Sequence, residues 1–225
     1  MNSKELARYI DHTLLKPDIT FEQIDKLCRE ALKYNFASVC IPPYFVSRAK
    51  ENLQDNDSIK VCTVAGFPLG YDYTSAKVEN IKKAIYHGAQ EIDAVINIAA
   101  LKNGDWKTIR YELDAMRTVT QINDVILKII FETCYLTRDE MEMLAKACIE
   151  TGVDYLKTST GFGTGGATVE DVKFLKSIAG DKAKVKASGG IRTREDALRM
   201  IEAGASRIGA SAGVKIVESA GKGKG

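Results

Sequence analysis

DYLKTSTGFGTGGATVEDVKFLKSIAGDKAKVKASGG, residues 154–190, reads as a strand, a loop, a helix and a second strand in succession. The first apolar run, Asp154–Lys157, is short and ends in a lysine. Hydroxyls at Thr158, Ser159 and Thr160 follow, then a glycine-rich loop. Thr168 with Asp171 marks a helix start, and Ala183–Lys186 is the next apolar run, again ending in a lysine. Strands buried on both faces are expected to look like this, brief and nearly free of charge.

The same unit recurs in both directions along the chain. Apolar runs fall at Tyr9–Leu15, Ala37–Ile41, Lys60–Ala65, Glu91–Ile96 and Val125–Phe131, and a last one at Arg207–Gly209. Between them, residues such as Ile81, Ala84 and Ile85, or Met143, Leu144, Ala147 and Cys148, recur on one helical face. Thr20 with Gln23 and Thr137 with Glu140 fit the capping box, and Thr193 with Asp196 is a weaker form. Gly88, Gly152 and Gly204 stand where helices need a left-handed residue to stop. Eight strands, each followed by one helix, predict an α/β protein with a closed parallel sheet, a (β/α)8 TIM barrel, preceded by a short extra helix near Ser3–Arg8. An open doubly wound sheet would carry a glycine-rich fingerprint after its first strand, and DHTLLKPDIT (Asp11–Thr20) has none.

No Pro/Gly/Ser linker divides the chain, so residues 1–220 are expected to form one barrel domain, with GKGKG (Gly221–Gly225) as a flexible tail. A chain of 225 residues, 45% of them hydrophobic, needs no disulfide or metal staple to build its core. The net charge is +2, with both signs interleaved, which gives no case for a nucleic-acid partner. Five scattered cysteines (Cys28, Cys40, Cys62, Cys134, Cys148) without a CxxC pair suit a reducing, cytoplasmic setting. MNSKELARYIDHTLLK lacks the apolar run of a signal peptide, and no stretch reaches the roughly 18 apolar residues of a membrane helix.

In this fold chemistry gathers at the carboxyl ends of the strands. Three ionisable groups stand there. Lys157 ends the sixth strand, either as a functional amine or as a lysine that snorkels to solvent. Lys186 ends the seventh; adjacent strands lie about 4.8 Å apart, and a neighbouring cation disfavours the charged form of the first, as an amine nucleophile requires. Its alternative roles are a phosphate ligand or a structural ion pair. Asp93, in EIDAVINI, shares one strand face with Glu91, while Ile92 takes the other. A carboxylate within such a run is costly unless paired, so Asp93 is a catalytic group or half of a structural Asp–Lys pair.

Small-residue loops follow the seventh and eighth strands, Ser188-Gly189-Gly190-Ile191-Arg192 and Gly209-Ala210-Ser211-Ala212. Backbone N–H groups there can approach an anion, and these are the recurring phosphate positions of the fold. His12 and His87 show no ligand spacing, and no metal is expected. His87 reads as a helix cap, Cys40 as a small core residue and Trp106 as packing.

LKTSTGF (Leu156–Phe162), VKASGGIRT (Val185–Thr193) and EIDAVINI (Glu91–Ile98), with DHTLLKP (Asp11–Pro17) and RIGAS (Arg207–Ser211), resemble the deoxyribose-phosphate aldolase family, in the family's order and over almost the whole chain. The resemblance implies a class I aldolase that reversibly cleaves 2-deoxy-D-ribose 5-phosphate to D-glyceraldehyde 3-phosphate and acetaldehyde, with no metal or organic cofactor. It implies Lys157 as the Schiff-base lysine, Lys186 as the second active-site lysine and Asp93 as the proton-relay aspartate. Asp11 and Thr13 match pocket-lining positions, Thr160 a substrate-binding one, and Gly189, Gly190, Gly209 and Ser211 the phosphate loops. The implied partner is a small phosphosugar, with a homodimer allowed but no interface assigned. Two positions depart from some members: Phe162 replaces a lysine, and the tail has no terminal tyrosine. Two other functions stay open at this point: a lysine-dependent barrel aldolase acting on a ketose phosphate, and a non-catalytic phosphosugar-binding barrel.

Overall fold

The computed structural model describes residues 1–219; the tail Gly221–Gly225 lies outside the described residues. Eight parallel strands close into a barrel in chain order: β1 (Ile10–Thr13), β2 (Ser38–Ile41), β3 (Lys60–Ala65), β4 (Glu91–Val95), β5 (Ile126–Ile130), β6 (Tyr155–Lys157), β7 (Lys184–Ser188) and β8 (Arg207–Ala210). β8 returns to β1 with Ile10 opposite Ile208. The (β/α)8 expectation is borne out.

The helices are α1 (Ser3–Ala7), α2 (Phe21–Tyr34), α3 (Val46–Asn52), α4 (Thr74–Tyr86), α5 (Ile98–Lys102), α6 (Trp106–Ile122), α7 (Arg138–Thr151), α8 (Val169–Ala179), α9 (Arg194–Glu202) and α10 (Gly213–Glu218). Their ends follow the sequence signals. Thr137 and Glu140 exchange side-chain and backbone hydrogen bonds, and so do Thr193 and Asp196. Gly88, Gly152 and Gly204 take φ of 103°, 79° and 111°, the left-handed region in which a Cβ is unwelcome.

Two expectations need correction. One helix per strand fails after β4, which is followed by both α5 and α6. Asn97 caps α5 by accepting from Ala100 N (3.0 Å), and Asp105 caps α6 by accepting from Thr108 N (3.1 Å), with Gly104 between them. Two caps so close together make two helices of what reads as one segment. The first strand is also shorter than Tyr9–Leu15, although the ladder bonds of Tyr9 O to Ile208 N (2.7 Å) and Leu14 N to Cys40 O (2.9 Å) continue past its ends.

Apolar side chains facing outward from the strands meet those of the helices and form the main core, which includes Ile10, Val39, Ile92, Leu127, Leu156, Val185 and Ile208. A buried ion pair stitches the outside of the barrel to the end of β4. Lys77 of α4 and Glu112 of α6 are sealed from solvent and paired with each other. Lys77 Nζ also donates to Val95 O (2.8 Å), and Glu112 accepts from Asn97 N (2.9 Å). Burial raises the Glu112 carboxyl and lowers the Lys77 ammonium, each opposed by the partner's charge. Lys77→Met leaves Glu112 buried without its cation, so a loss of about 3–5 kcal/mol is expected, readable as a lower urea midpoint at unchanged m.

Candidate active site

Side chains alternate across a strand, so every second residue of each β-strand points into the barrel. In most barrels that space fills with branched apolar residues. Here it holds charges. Asp11 comes from β1, Glu91 and Asp93 from β4, Lys128 from β5, Lys157 from β6, Lys186 from β7 and Arg207 from β8.

Asp93 is the hub. Its Oδ2 accepts from Lys157 Nζ (2.7 Å) and from Lys186 Nζ (2.6 Å), and its Oδ1 accepts from Lys128 Nζ (2.8 Å) and Cys62 Sγ (3.2 Å). Lys186 Nζ also lies 2.5 Å from Asp11 Oδ2. Asp11 Oδ1 accepts from Ser38 Oγ (2.6 Å) and from the Arg207 guanidinium (2.5 Å). Glu91 closes the lower layer by pairing with Lys128 (2.6 Å) and Arg207 (3.1 Å). The Tyr155 ring lies against this layer, its centroid 5.6 Å from the Arg207 guanidinium carbon and 5.9 Å from Lys128 Nζ.

Burial opposes every one of these charges, and the partners decide the outcome. For Asp93, burial pushes the carboxyl up, but Lys128, Lys157 and Lys186 together hold it well below the usual carboxylate range. For Asp11, burial is likewise outweighed, by Arg207 and Lys186. Burial disfavours the Lys186 ammonium, but Asp11 and Asp93 hold it above the ordinary lysine value; Lys128 is held up against burial by Asp93, and Arg207 by Asp11 and Glu91. The network contains one more cation than anions.

Carboxyls held low in the folded state confer stability that is present above their unfolded value of about 4 and is lost as the pH falls through the folded values. Stability measured by urea titration is therefore expected to fall below about pH 4, and Asp11→Asn should flatten that slope. An equal slope in the variant would show that Asp11 carries none of it.

Above the network opens a cavity of about 370 Å³. Thr13, Lys157, Thr160, Gly189, Gly190, Gly209 and Ser211 all line it, so the structure gathers these expected site residues around one space. Asp93, Lys186 and Asp11 do not line it; they lie fully buried beneath. This corrects the expectation that Asp11 is a wall residue. It shares the inward face of β1 with Thr13 but sits one layer lower, at the level of Ser38 on β2. Gly209 makes room for the network, because a Cβ there would come within 3.1 Å of Lys186 Cε and 2.9 Å of Ser188 Cβ. Gly189 and Gly190, both on the cavity wall, take positive φ (84° and 80°), the left-handed region that suits glycine.

Among the described residues, the cavity wall contains no carboxylate. Lys16 and Arg192 stand on it, and among the described residues neither has an acidic side chain within 4.0 Å. An anion is the ligand such a wall favours. Phe162, 52% exposed, meets Phe67 edge-on at 5.3 Å. Cys40 is buried and packs on Cys62 and Val64, as a core residue should. Donor atoms of Cys40, Cys62 and Asp93 lie within 4.8 Å of one another, but a metal there would have to displace lysines from Asp93.

The sequence reading missed Lys128 and Arg207. Lys128 interrupts ILKII as Asp93 interrupts its own run, and the rule that a buried charge needs a partner applied equally to both. Arg207 opens its strand, where a solvent-exposed cation is the ordinary outcome, and nothing local signals otherwise.

The site is thus an amine at the mouth of a closed barrel, backed by a carboxylate and facing a wall that favours an anion. The model for the DeoC/LacD family aldolases matches residues 6–219, and the chain belongs to that family. It is 54% identical over 214 residues to the deoxyribose-phosphate aldolase of Thermoanaerobacter sp. (strain X514), covering 95% of this chain and 96% of the relative. With the deoxyribose-phosphate aldolase of Thermococcus kodakarensis it shares 52% identity over 221 residues, 98% and 99% of the two chains. The tetrameric deoxyribose phosphate aldolase from Aeropyrum pernix superposes with a TM-score of 0.90 at 31% identity, over 97% of this chain and 92% of that one. No helix among the described residues is long and apolar enough to cross a membrane.

Proposed function

We propose that this chain reversibly cleaves 2-deoxy-D-ribose 5-phosphate to D-glyceraldehyde 3-phosphate and acetaldehyde through an imine on Lys157. One observation carries the reading: among the described residues, Lys157 is the one cation of the barrel interior that lines the cavity, while Lys128, Lys186 and Arg207 are spent below it. The relatives, deoxyribose-phosphate aldolases more than half identical to this chain, support the choice of substrate.

The neutral amine of Lys157 attacks the C1 aldehyde of the open-chain sugar; water leaves and an iminium forms. The iminium nitrogen draws the electron pair of the C2–C3 bond. As that bond breaks, the C3 hydroxyl gives up its proton and C3 departs as the aldehyde of glyceraldehyde 3-phosphate. The enamine left on Lys157 takes a proton at C2, and water releases acetaldehyde. Asp93, 2.7 Å from the nitrogen that carries the positive charge, stabilises it and relays protons through water. Lys186 is held charged and binds the same Asp93 oxygen, so that oxygen does not grip the Lys157 proton undivided. Backbone N–H groups of Gly189, Gly190 and Gly209, with Ser211, receive the phosphate, and Lys16 and Arg192 supply the surrounding positive charge.

The test is an assay of both products from 2-deoxy-D-ribose 5-phosphate, run beside a ketose phosphate of equal length. Equimolar acetaldehyde and glyceraldehyde 3-phosphate from the first, with little action on the second, is the expected result. Cleavage of the ketose ester alone, or binding of either ester without turnover, would refute the assignment.

A further inference from the structure

Beyond β5 the ladder to β6 continues irregularly. Phe131 N donates to Lys157 O (2.9 Å), and Thr133 N donates to the very next residue, Thr158 O (3.0 Å). A regular parallel ladder advances both strands by two, so one residue on the β5 side is extra: a bulge. That residue is Glu132, with φ 54° and ψ 63°, a left-handed conformation that its Cβ makes unfavourable. The bulge turns the Glu132 side chain beneath the loop that follows Lys157. Thr160 N donates to its two oxygens (3.2 and 3.3 Å), and the Thr160 hydroxyl donates to Oε2. Thr160 Oγ1 in turn accepts from Phe162 N (3.0 Å). Thr160, Gly161 and Phe162 are all part of the cavity wall. At its far end the loop is fastened by Ala167 N, which donates to Ser188 O (3.0 Å) and Gly189 O (3.1 Å).

Glu132 is 2% exposed, and among the described residues no cation pairs with it. Burial pushes its carboxyl up, and the hydrogen bonds from Thr160 and the charge of Lys157 pull it back. A strained backbone and a buried acid without a counter-ion coincide in one residue beside the reactive lysine, which is how a functional constraint is recognised. With its hydroxyl hydrogen used on Glu132, Thr160 holds this part of the wall in place.

We infer that Glu132 is a positioning residue: through Thr160 it fixes the β6 loop and so sets where the phosphate-bearing half of the substrate sits, without touching the reacting atoms. This rests on the reading of Lys157 and its substrate given above. The test is a pair of variants, Glu132→Gln and Thr160→Val, with the double variant, in the full-length protein. KM and kcat are measured for 2-deoxy-D-ribose 5-phosphate, and acetaldehyde with borohydride is used to label Lys157. Each single variant should raise KM about tenfold with kcat within about threefold of wild type, because a buried N–H or carboxyl loses its partner while the amine chemistry is untouched. The double variant should be no worse than the worse single one, and labelling should match wild type. Unchanged KM in both singles, additive effects, or labelling that falls in step with turnover would overturn the inference. If Glu132→Gln fails to fold, Thr160→Val carries the same expectation alone. Absence of label in the wild type would remove the Lys157 reading, and this inference with it.

Discussion

Lys157→Ala is expected to lower turnover by about 10⁴-fold or more, with the fold intact. Among the described residues no other amine of the network lines the cavity, and the one further lysine on its wall, Lys16, has no carboxylate within 4.0 Å to serve it as Asp93 serves Lys157. The network also tolerates the loss. Without Lys157, the cations Lys128, Lys186 and Arg207 face the anions Asp11, Glu91 and Asp93, and the interior charge balances. The stability change should stay within about 1 kcal/mol, or about 2–4 °C in Tm for a chain of this size. Calorimetry beside the product assay checks both halves. Turnover within tenfold of wild type in a folded variant would mean that another group does the chemistry.

Asp93→Asn should do the opposite to stability. The amide keeps the shape but removes the charge that Lys128, Lys157 and Lys186 share, leaving three buried ammonium groups short of a counter-ion. A loss of about 3–5 kcal/mol is expected, together with a fall in kcat of about 10²–10⁴-fold at temperatures where the variant is folded. The pair of variants therefore separates the two roles of the network: one residue is nearly all chemistry, the other chemistry and structure together. An Asp93→Asn protein as stable as wild type would show that the lysines find partners elsewhere.

Much of this was legible in the residues. The β3 run, Lys60–Ala65, was read with its observed bounds, because it is apolar and bounded by turn signals on both sides. Ala187 and Ser188 extend β7 beyond the Ala183–Lys186 run, since small residues ahead of a glycine pair do not announce a strand. Lys157, Lys186 and Asp93 could be picked out because each is a charge where a strand should be apolar. What they would touch could not be read, because contacts such as Lys186 to Asp93 join residues 93 positions apart and depend on barrel closure. The same holds for Lys77 with Glu112, two helix residues that look solvent-facing until α4 and α6 pack. Glu132 left no trace at all: FETC carries no glycine or asparagine to mark a left-handed turn, and the bulge exists only once β5 and β6 are paired.

The central claim is that Lys157 forms an imine with an aldehyde donor. Incubating the protein with acetaldehyde, reducing with borohydride and mapping the modified peptide by mass spectrometry tests it directly. An ethyl group on Lys157, and on neither Lys128 nor Lys186, is the predicted result. A folded protein that carries no adduct, or carries it on another lysine, would contradict the account.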